Sequence, residues 1–550
     1  MDSVTASEKR LKRQIIGKPH RFLAIAPLGF EQTLAREIEF CNPQVVGDGK
    51  VEFTAKITDA WRAVAYTRVA NRILMHIADF RAENFRDLEK KAAEIPWELY
   101  LPCHPGREAA GRTALSNLLL SAHGHQGGTH TVRTSPCYSL QIHVTCKHSR
   151  LYHSDAVAER LQKVIEGGSV PLAPADAASA TPSAGTPRNA PQNLFVTLID
   201  DRCTLWLDLA GEELYKRGHE RFVNDAPLKE TIAAGMILEV SALVAAPITL
   251  IDPMAGSGTF SLEAAFMASG FIPGKCRDFA LKHQPAFKPA TWNHIVNSGS
   301  HPGREAAGRT ALSNLLLSAH GHQGGTHTVR TRSCKKSMDG ASPLLFGSVM
   351  PTQAWSRHSL SVQSPSEDDS RIHTIANLLT SDISERAIGI IRHNVECSPL
   401  AQSLPETNKS TQPATSITPQ LRDFFTYTAK EIADACRAPS TSNEANINDS
   451  EPVIVLNPPY GKRLDFDAPK LYTKIGKKIA ELAHDLAPFS MPLTIAILAP
   501  KDDSRPGSKF TCTANLLREC PALDPAKNAS AKIIETSHGG LSLNALFVKI

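Results

Sequence analysis

The chain has 550 residues, 42% hydrophobic and 21% charged, and a formal net charge of +5 from 60 Lys and Arg against 55 Asp and Glu. Such a length accommodates two or three globular domains, and the mild positive excess permits an anionic partner without demanding one. No stretch approaches the roughly 18 consecutive apolar residues of a membrane-spanning helix, so no membrane association is expected.

The N-terminus is locally basic (Lys9, Arg10, Lys12, Arg13) with no apolar segment behind it, which argues against a secretory signal. The 11 cysteines form no C-x-x-C pair, a pattern of reduced thiols, so a cytoplasmic protein is expected. Residues 22–26 read as a short strand, 32–39 as a helix and 60–78 as a longer helix. A strand over 139–145 leads into a helix over 154–165. The Ala-, Pro-, Ser- and Thr-rich stretch 171–190 reads as a flexible insertion. A hairpin follows: Leu194, Val196 and Leu198 alternate, Asp200 and Asp201 supply the turn, and Leu205, Leu207 and Leu209 alternate again. The first half therefore reads as α+β, with 20–100 and 101–212 as its two regions.

From about residue 213 the pattern changes to alternating helices and strands. A helix over 227–240 precedes a strand over 248–251; helix 260–268, strand 378–381, helix 385–394, strand 453–456, helix 471–487 and strand 493–498 follow. Alternation of this length predicts an α/β, doubly wound parallel sheet across 213–550. One feature interrupts it. Residues 104–134 recur letter for letter as 301–331. Structural repeats drift outside their hydrophobic pattern and stack as neighbours, whereas these copies are identical and lie in different halves. They read as tolerated surface insertions, the second extending over 301–370 with the Ser- and Pro-rich stretch behind it. Each copy carries four histidines (His104, His123, His125 and His130 in the first), but the insertion reading outweighs a metal site, and no metal is expected.

Three elements carry chemistry. Asn457-Pro458-Pro459-Tyr460 follows the apolar strand 453–456, at the strand end where open α/β sheets place ligands. The prolines fix φ and remove two backbone donors, so the stretch leaves the sheet as a rigid loop. Its acceptors, the Asn457 side-chain oxygen and the Pro458 carbonyl, suit the two N–H groups of an sp² amine such as a base's exocyclic NH₂, while Tyr460 suits stacking on an extruded base. The loop Asp252 to Thr259 brings Gly256 and Gly258 between a strand and a helix N-terminus, where backbone can approach a ligand. It lacks the Lys of a P-loop and the third glycine of a dinucleotide fingerprint, and fits S-adenosylmethionine. Asp382, ending the next strand, suits a pair of ribose hydroxyls, although it falls far beyond the usual spacing of about 20 residues; the insertion at 301–370 accounts for the excess. Asp423, before Phe424 and Phe425, suits an adenine amino group.

Taken with Leu214 to His219 and Ala226 to Glu230, these motifs resemble the class I S-adenosylmethionine-dependent methyltransferases that modify amino groups, and within them the THUMP-containing RNA guanine-N2 methyltransferases. The first half is similar to that family's ferredoxin-like plus THUMP region. The resemblance implies that Asp252, Ala255, Gly256, Gly258 and Thr259 line the cofactor loop, that Asp382 holds the ribose and Asp423 the adenine. It also implies that Asn457 and Pro458 position the target amine, that Tyr460 stacks on the base, and that Lys147 and Arg150 contact RNA phosphates. The implied substrate is guanine in RNA, large-subunit ribosomal RNA above all. The Asn-Pro-Pro-Tyr loop by itself leaves open tRNA guanine and DNA adenine or cytosine, and an RNA-binding assembly protein with a decayed site is the non-enzymatic alternative.

Overall fold

The computed structural model describes residues 8–102, 139–167, 191–223, 227–245, 247–297, 375–402, 417–437, 450–460, 467–502 and 511–550. Both repeats and the stretch 171–190 lie outside the described residues. The described residues fall within one compact unit, made of 1–299 and 372–550.

The first half is built on one seven-stranded sheet with the order β2-β3-β1-β4-β7-β6-β5. Its strands are β1 (Pro19–Ile25), β2 (Gln44–Gly47), β3 (Lys50–Lys56), β4 (Arg72–Arg81), β5 (Leu140–Lys147), β6 (Gln192–Ile199) and β7 (Arg202–Asp208). Alternation decides which face is covered: Phe22, Ala24, Val51 and Phe53 are buried while their strand neighbours are not. The helix Ile57–Tyr66 buries Ile57, Ala60, Trp61 and Val64, spaced three and four apart, in the same core. Helices Phe85–Ala93 and Ser154–Ile165 cover Leu194, Val196, Leu198, Leu205 and Leu207 farther along the sheet. The antiparallel pairing of β4 with β7 makes the sheet continuous across residues 20–212. The hairpin turn is formed by Asp200 and Asp201 at φ 50° and 61°, the left-handed pair a tight two-residue turn requires.

The helix expected over 60–78 stops at Tyr66, and Arg72–Arg81 is instead a central strand, paired to β1 and β7. The cause is tertiary. The buried Glu37 carboxylate accepts the backbone N–H groups of Arg68 (2.9 Å) and Val69 (3.0 Å) and the Thr67 hydroxyl (2.8 Å), pulling the chain out of helical geometry.

The second half carries its own seven-stranded sheet, β10-β9-β8-β11-β12-β14-β13. Here β8 is Ile248–Asp252, β9 Ile375–Asp382, β10 Gln420–Leu421, β11 Glu451–Leu456, β12 Thr494–Pro500, β13 Lys532–His538 and β14 Leu541–Lys549. From β10 to β12 every pairing is parallel, and Val453, Ile454, Val455 and Leu456 are fully buried between helices on both faces. Each such side chain contributes roughly 1.5–3 kcal/mol of transfer free energy. One face packs against Glu230–Ser241 and Thr259–Ala268, the other against Ala429–Cys436 and Ala468–Leu486, the doubly wound arrangement. The sheet is nonetheless mixed: β14 runs antiparallel between β12 and β13, after a turn of Gly539 and Gly540 at positive φ. The C-terminal hairpin was not foreseen from the apolar pattern.

Candidate active site

The carboxyl ends of β8, β9, β10 and β11 lie side by side. Asp252 pairs with Thr380, Leu421 with Asp382, and Ile454 with Ile251. This edge collects Asp252, Asp382, Asp423 and Asn457, which the sequence scatters over two hundred positions.

The glycine loop leaves β8 and enters the helix Thr259–Ala268. Gly258, its N-cap, has φ 77°, and a Cβ there would stand 3.2 Å from Ile391. Gly256 has φ 57°, and a Cβ there would meet no protein atom, so its left-handed backbone faces space a ligand can use. Ala255 is buried, its N–H donating to the Ser381 carbonyl at 3.0 Å. The Asp252 carboxylate is fully buried: Oδ2 accepts the Ser261 hydroxyl (2.7 Å) and N–H (3.2 Å), while Oδ1 has no partner. Burial, and to a lesser degree the nearby Asp382 charge, push its carboxyl up to about 7.

Asp382 reaches across 126 positions to accept the Gly256 N–H at 2.9 Å through Oδ2, and its Oδ1 accepts the Ser384 N–H at 2.9 Å. Its carboxylate therefore clasps the loop, and Ser384, not Asp382, caps the following helix Glu385–Glu396. Between them Ile383 is 71% exposed, a large apolar side chain left uncovered beside the edge. Asp423 Oδ1 caps the short turn Phe424–Thr426 through the Phe425 N–H at 3.0 Å, with Phe424 buried and Phe425 half-buried.

After β11, Asn457 is half-buried with its Oδ1 fully enclosed and without a hydrogen-bond partner. Pro458 is buried, Pro459 exposed and Tyr460 largely embedded, its ring packed on the core and its hydroxyl pushed up to about 12 by burial. Burial leaves Tyr460 less ring surface for a base than the sequence suggested. Lys147 and Arg150 lie elsewhere, at the end of β5 in the first sheet. Lys147 is exposed, and Arg150 is engaged by the carboxylates of Glu83 and Asp201.

Residues that sequence reasoning missed hold the loop from behind. Arg221, almost fully buried, donates to Thr259 Oγ1 (2.5 Å) and Ser257 Oγ (3.2 Å) and pairs with Glu230. Asn394 receives the Phe222 N–H (2.7 Å) and donates to the carbonyls of Phe222 (2.9 Å) and Ser257 (3.0 Å). The Phe222 ring stacks on His393 at 3.9 Å. No local motif marks these residues, because their partners lie up to 172 positions away. Among the described residues there is no cluster of metal ligands and no helix long and apolar enough to cross a membrane.

A doubly wound sheet with an antiparallel seventh strand, a glycine loop after its first strand and acidic residues on the next two strand ends defines a Rossmann-like methyltransferase domain, here preceded by an α+β region. Residues 217–339 match the family model described as "RMKL-like, methyltransferase domain", and residues 21–74 match the "RlmL ferredoxin-like domain". The chain thus carries an RlmKL-type methyltransferase domain behind an RlmL-type ferredoxin-like domain; Asp382, Asp423 and Asn457 lie beyond the matched stretches. It is 30% identical over 278 residues to "Ribosomal RNA large subunit methyltransferase K/L" of Shewanella oneidensis, an alignment covering 50% of this chain and 34% of that protein. The chain therefore spans about a third of the length of such relatives. Two solved structures share the fold: SMU.472 complexed with SAH (19% identity, TM-score 0.55, 96% of this chain and 98% of that one), and a predicted N6-adenine-specific DNA methylase from Listeria monocytogenes (18%, TM-score 0.52, 96% of each).

Proposed function

We propose that this chain methylates the exocyclic 2-amino group of a guanine in RNA, with large-subunit ribosomal RNA as the substrate, S-adenosyl-L-methionine as the methyl donor and the cytoplasm as its location. The observation that carries the reading is Asn457 Oδ1, a buried acceptor without a donor at the strand end next to the glycine loop. The ferredoxin-like half and the relatives named for ribosomal RNA favour RNA over DNA.

The residues present fit the donor. Open space at Gly256, the unpartnered Asp252 Oδ1 and the exposed Ile383 suit, in turn, the approach of backbone, an ammonium group and a purine ring. When bound, S-adenosylmethionine supplies an electrophilic methyl group. The protein's own part is positioning. Asp252, Ala255, Gly256, Gly258 and Thr259 form the loop against the amino-acid end, Asp382 takes the ribose hydroxyls and Asp423 the adenine amine. Asn457 Oδ1 and the Pro458 carbonyl accept the two N–H groups of the target and aim its lone pair along the line of attack. Tyr460 supplies the wall of that pocket. The amine N–H turns acidic only as the new N–C bond forms, so no strong base is required, and the two acceptors stabilise the positive charge that develops on nitrogen.

The test is transfer of labelled methyl from S-adenosylmethionine to RNA from cells lacking the gene, followed by nucleoside mapping. Label is expected as N2-methylguanosine in large-subunit ribosomal RNA. Label confined to tRNA would move the substrate, label in DNA would move the class, and cofactor binding without any transfer would make the chain an assembly protein.

A further inference from the structure

The first sheet turns one face to its helices. On the other, three rows of side chains run across β5, β6, β7 and β4. The first is aromatic: His143 opposes Phe195, Phe195 opposes Trp206, and Trp206 opposes His76. His143 and Phe195 stack at 4.7 Å with 19° between their planes, His76 meets Trp206 edge-on at 5.1 Å, and Arg21 lies over the Trp206 ring. The second row is hydroxylic: Thr145, Thr197 and Thr204 stand opposite one another, and Thr204 donates to Asp79 at 2.7 Å. The third is Lys147, Ile199, Arg202 and Arg81. Rows two residues apart along a strand are about 6.6 Å apart.

Trp206 is 7% exposed and forms the floor, whereas His143 is exposed on the edge strand. The ring stack therefore ends in an uncovered imidazole face. Charge on this face favours an anion. The carboxylates of Asp79 and Glu52 are both met by Arg21, at 3.3 and 3.7 Å. Arg81 and Arg202 reach Glu83 and Asp79 at 2.9 and 3.7 Å while staying 70% exposed.

We propose that this open face binds an unpaired segment of RNA, its bases continuing the His143–Phe195 stack, its ribose hydroxyls meeting the threonine row and its phosphates the row of Lys147, Arg202 and Arg81. Each row matches one part of a nucleotide. Rings take bases of any sequence, threonine hydroxyls donate to and accept from the 2′-OH that distinguishes RNA, and the cations take phosphates. A duplex keeps its bases stacked inside and cannot use the first row, so single strands should bind more tightly. The inference rests on the RNA reading above and locates where that RNA is held.

The experiment measures binding of labelled single-stranded and duplex RNA oligonucleotides to the full chain by fluorescence anisotropy, with cofactor binding followed by calorimetry in the same preparations. His143→Ala should weaken single-strand binding roughly fivefold or more and leave duplex and cofactor binding unchanged; His143→Phe should restore it. Lys147→Ala with Arg202→Ala should reduce the salt dependence of binding by about one unit of slope. RNA binding that is insensitive to all of these overturns the platform while leaving the RNA reading intact. Equal losses for single strands and duplex overturn the stacking role. A full chain that binds cofactor but no RNA overturns the RNA reading itself.

Discussion

Asn457 and Asp252 each hold a buried oxygen that no protein donor reaches. An unsatisfied buried acceptor costs about 1–3 kcal/mol, and a fold keeps such a defect where a ligand removes it. For Asn457 this gives a test with two readings. Asn457→Ala should lower kcat about a hundredfold or more and leave cofactor affinity within a few-fold. Because it deletes an orphaned group, it should also leave the ligand-free protein at least as stable in thermal denaturation. Unchanged kcat, or a large stability loss, would show the side chain to be structural. Asp252 carries a pH signature. Its carboxyl titrates near 7 in the folded chain and near 4 in the unfolded one. Between those values the folded state holds a proton the unfolded state has lost, so stability falls as pH rises across the window. The total is at most about 4 kcal/mol. Asp252→Asn should flatten that slope and gain on the parent between pH 5 and 8 in urea denaturation; parallel profiles would refute the assignment.

The elements most legible in the sequence are those with one partner environment. β11 and β12 are buried on both faces and read as unbroken apolar runs, and Ser154–Ile165 has the spacing of a one-sided helix. The catalytic constellation was legible for the same reason, since its residues sit at the ends of those runs. Elements defined by distant contacts were not. β4 was taken into a helix because the signal that ends the preceding helix is the Glu37 carboxylate, some thirty positions upstream and silent in any local window. The strap at Arg221 and Phe222 is likewise invisible until Ser257, Thr259 and Asn394 are brought beside it. That strap makes a prediction at the level of the loop. Arg221→Ala removes the donors that fix Ser257 and Thr259 and should weaken cofactor binding about tenfold by calorimetry, with kcat at saturation little changed. Arg221→Lys should not rescue it, because a single ammonium cannot fork to both hydroxyls. A fall in kcat at unchanged affinity would place the arginine in the chemistry instead.

The two halves share a core and also a buried ionic junction. Arg217, 5% exposed, donates to Glu263 at 2.9 and 3.2 Å, to the Arg68 carbonyl at 2.8 Å and to the Leu214 carbonyl at 3.0 Å. Glu263 lies on the helix behind the glycine loop, and Arg68 in the turn that Glu37 shapes in the first sheet's half. One guanidinium thus ties the cofactor loop's helix to the α+β half, so the geometry of one depends on the folding of the other. Removing one partner of such a pair leaves the other buried and uncompensated, at a cost of about 3–5 kcal/mol, whereas replacing both with apolar groups is often close to neutral. Arg217→Met should therefore lower the urea midpoint markedly. Arg217→Met with Glu263→Leu should recover most of that loss, since Arg68 and Glu37 remain as a compensating pair. Failure of the double variant to recover would mean that the two backbone carbonyls, and not Glu263, are what Arg217 is needed to satisfy.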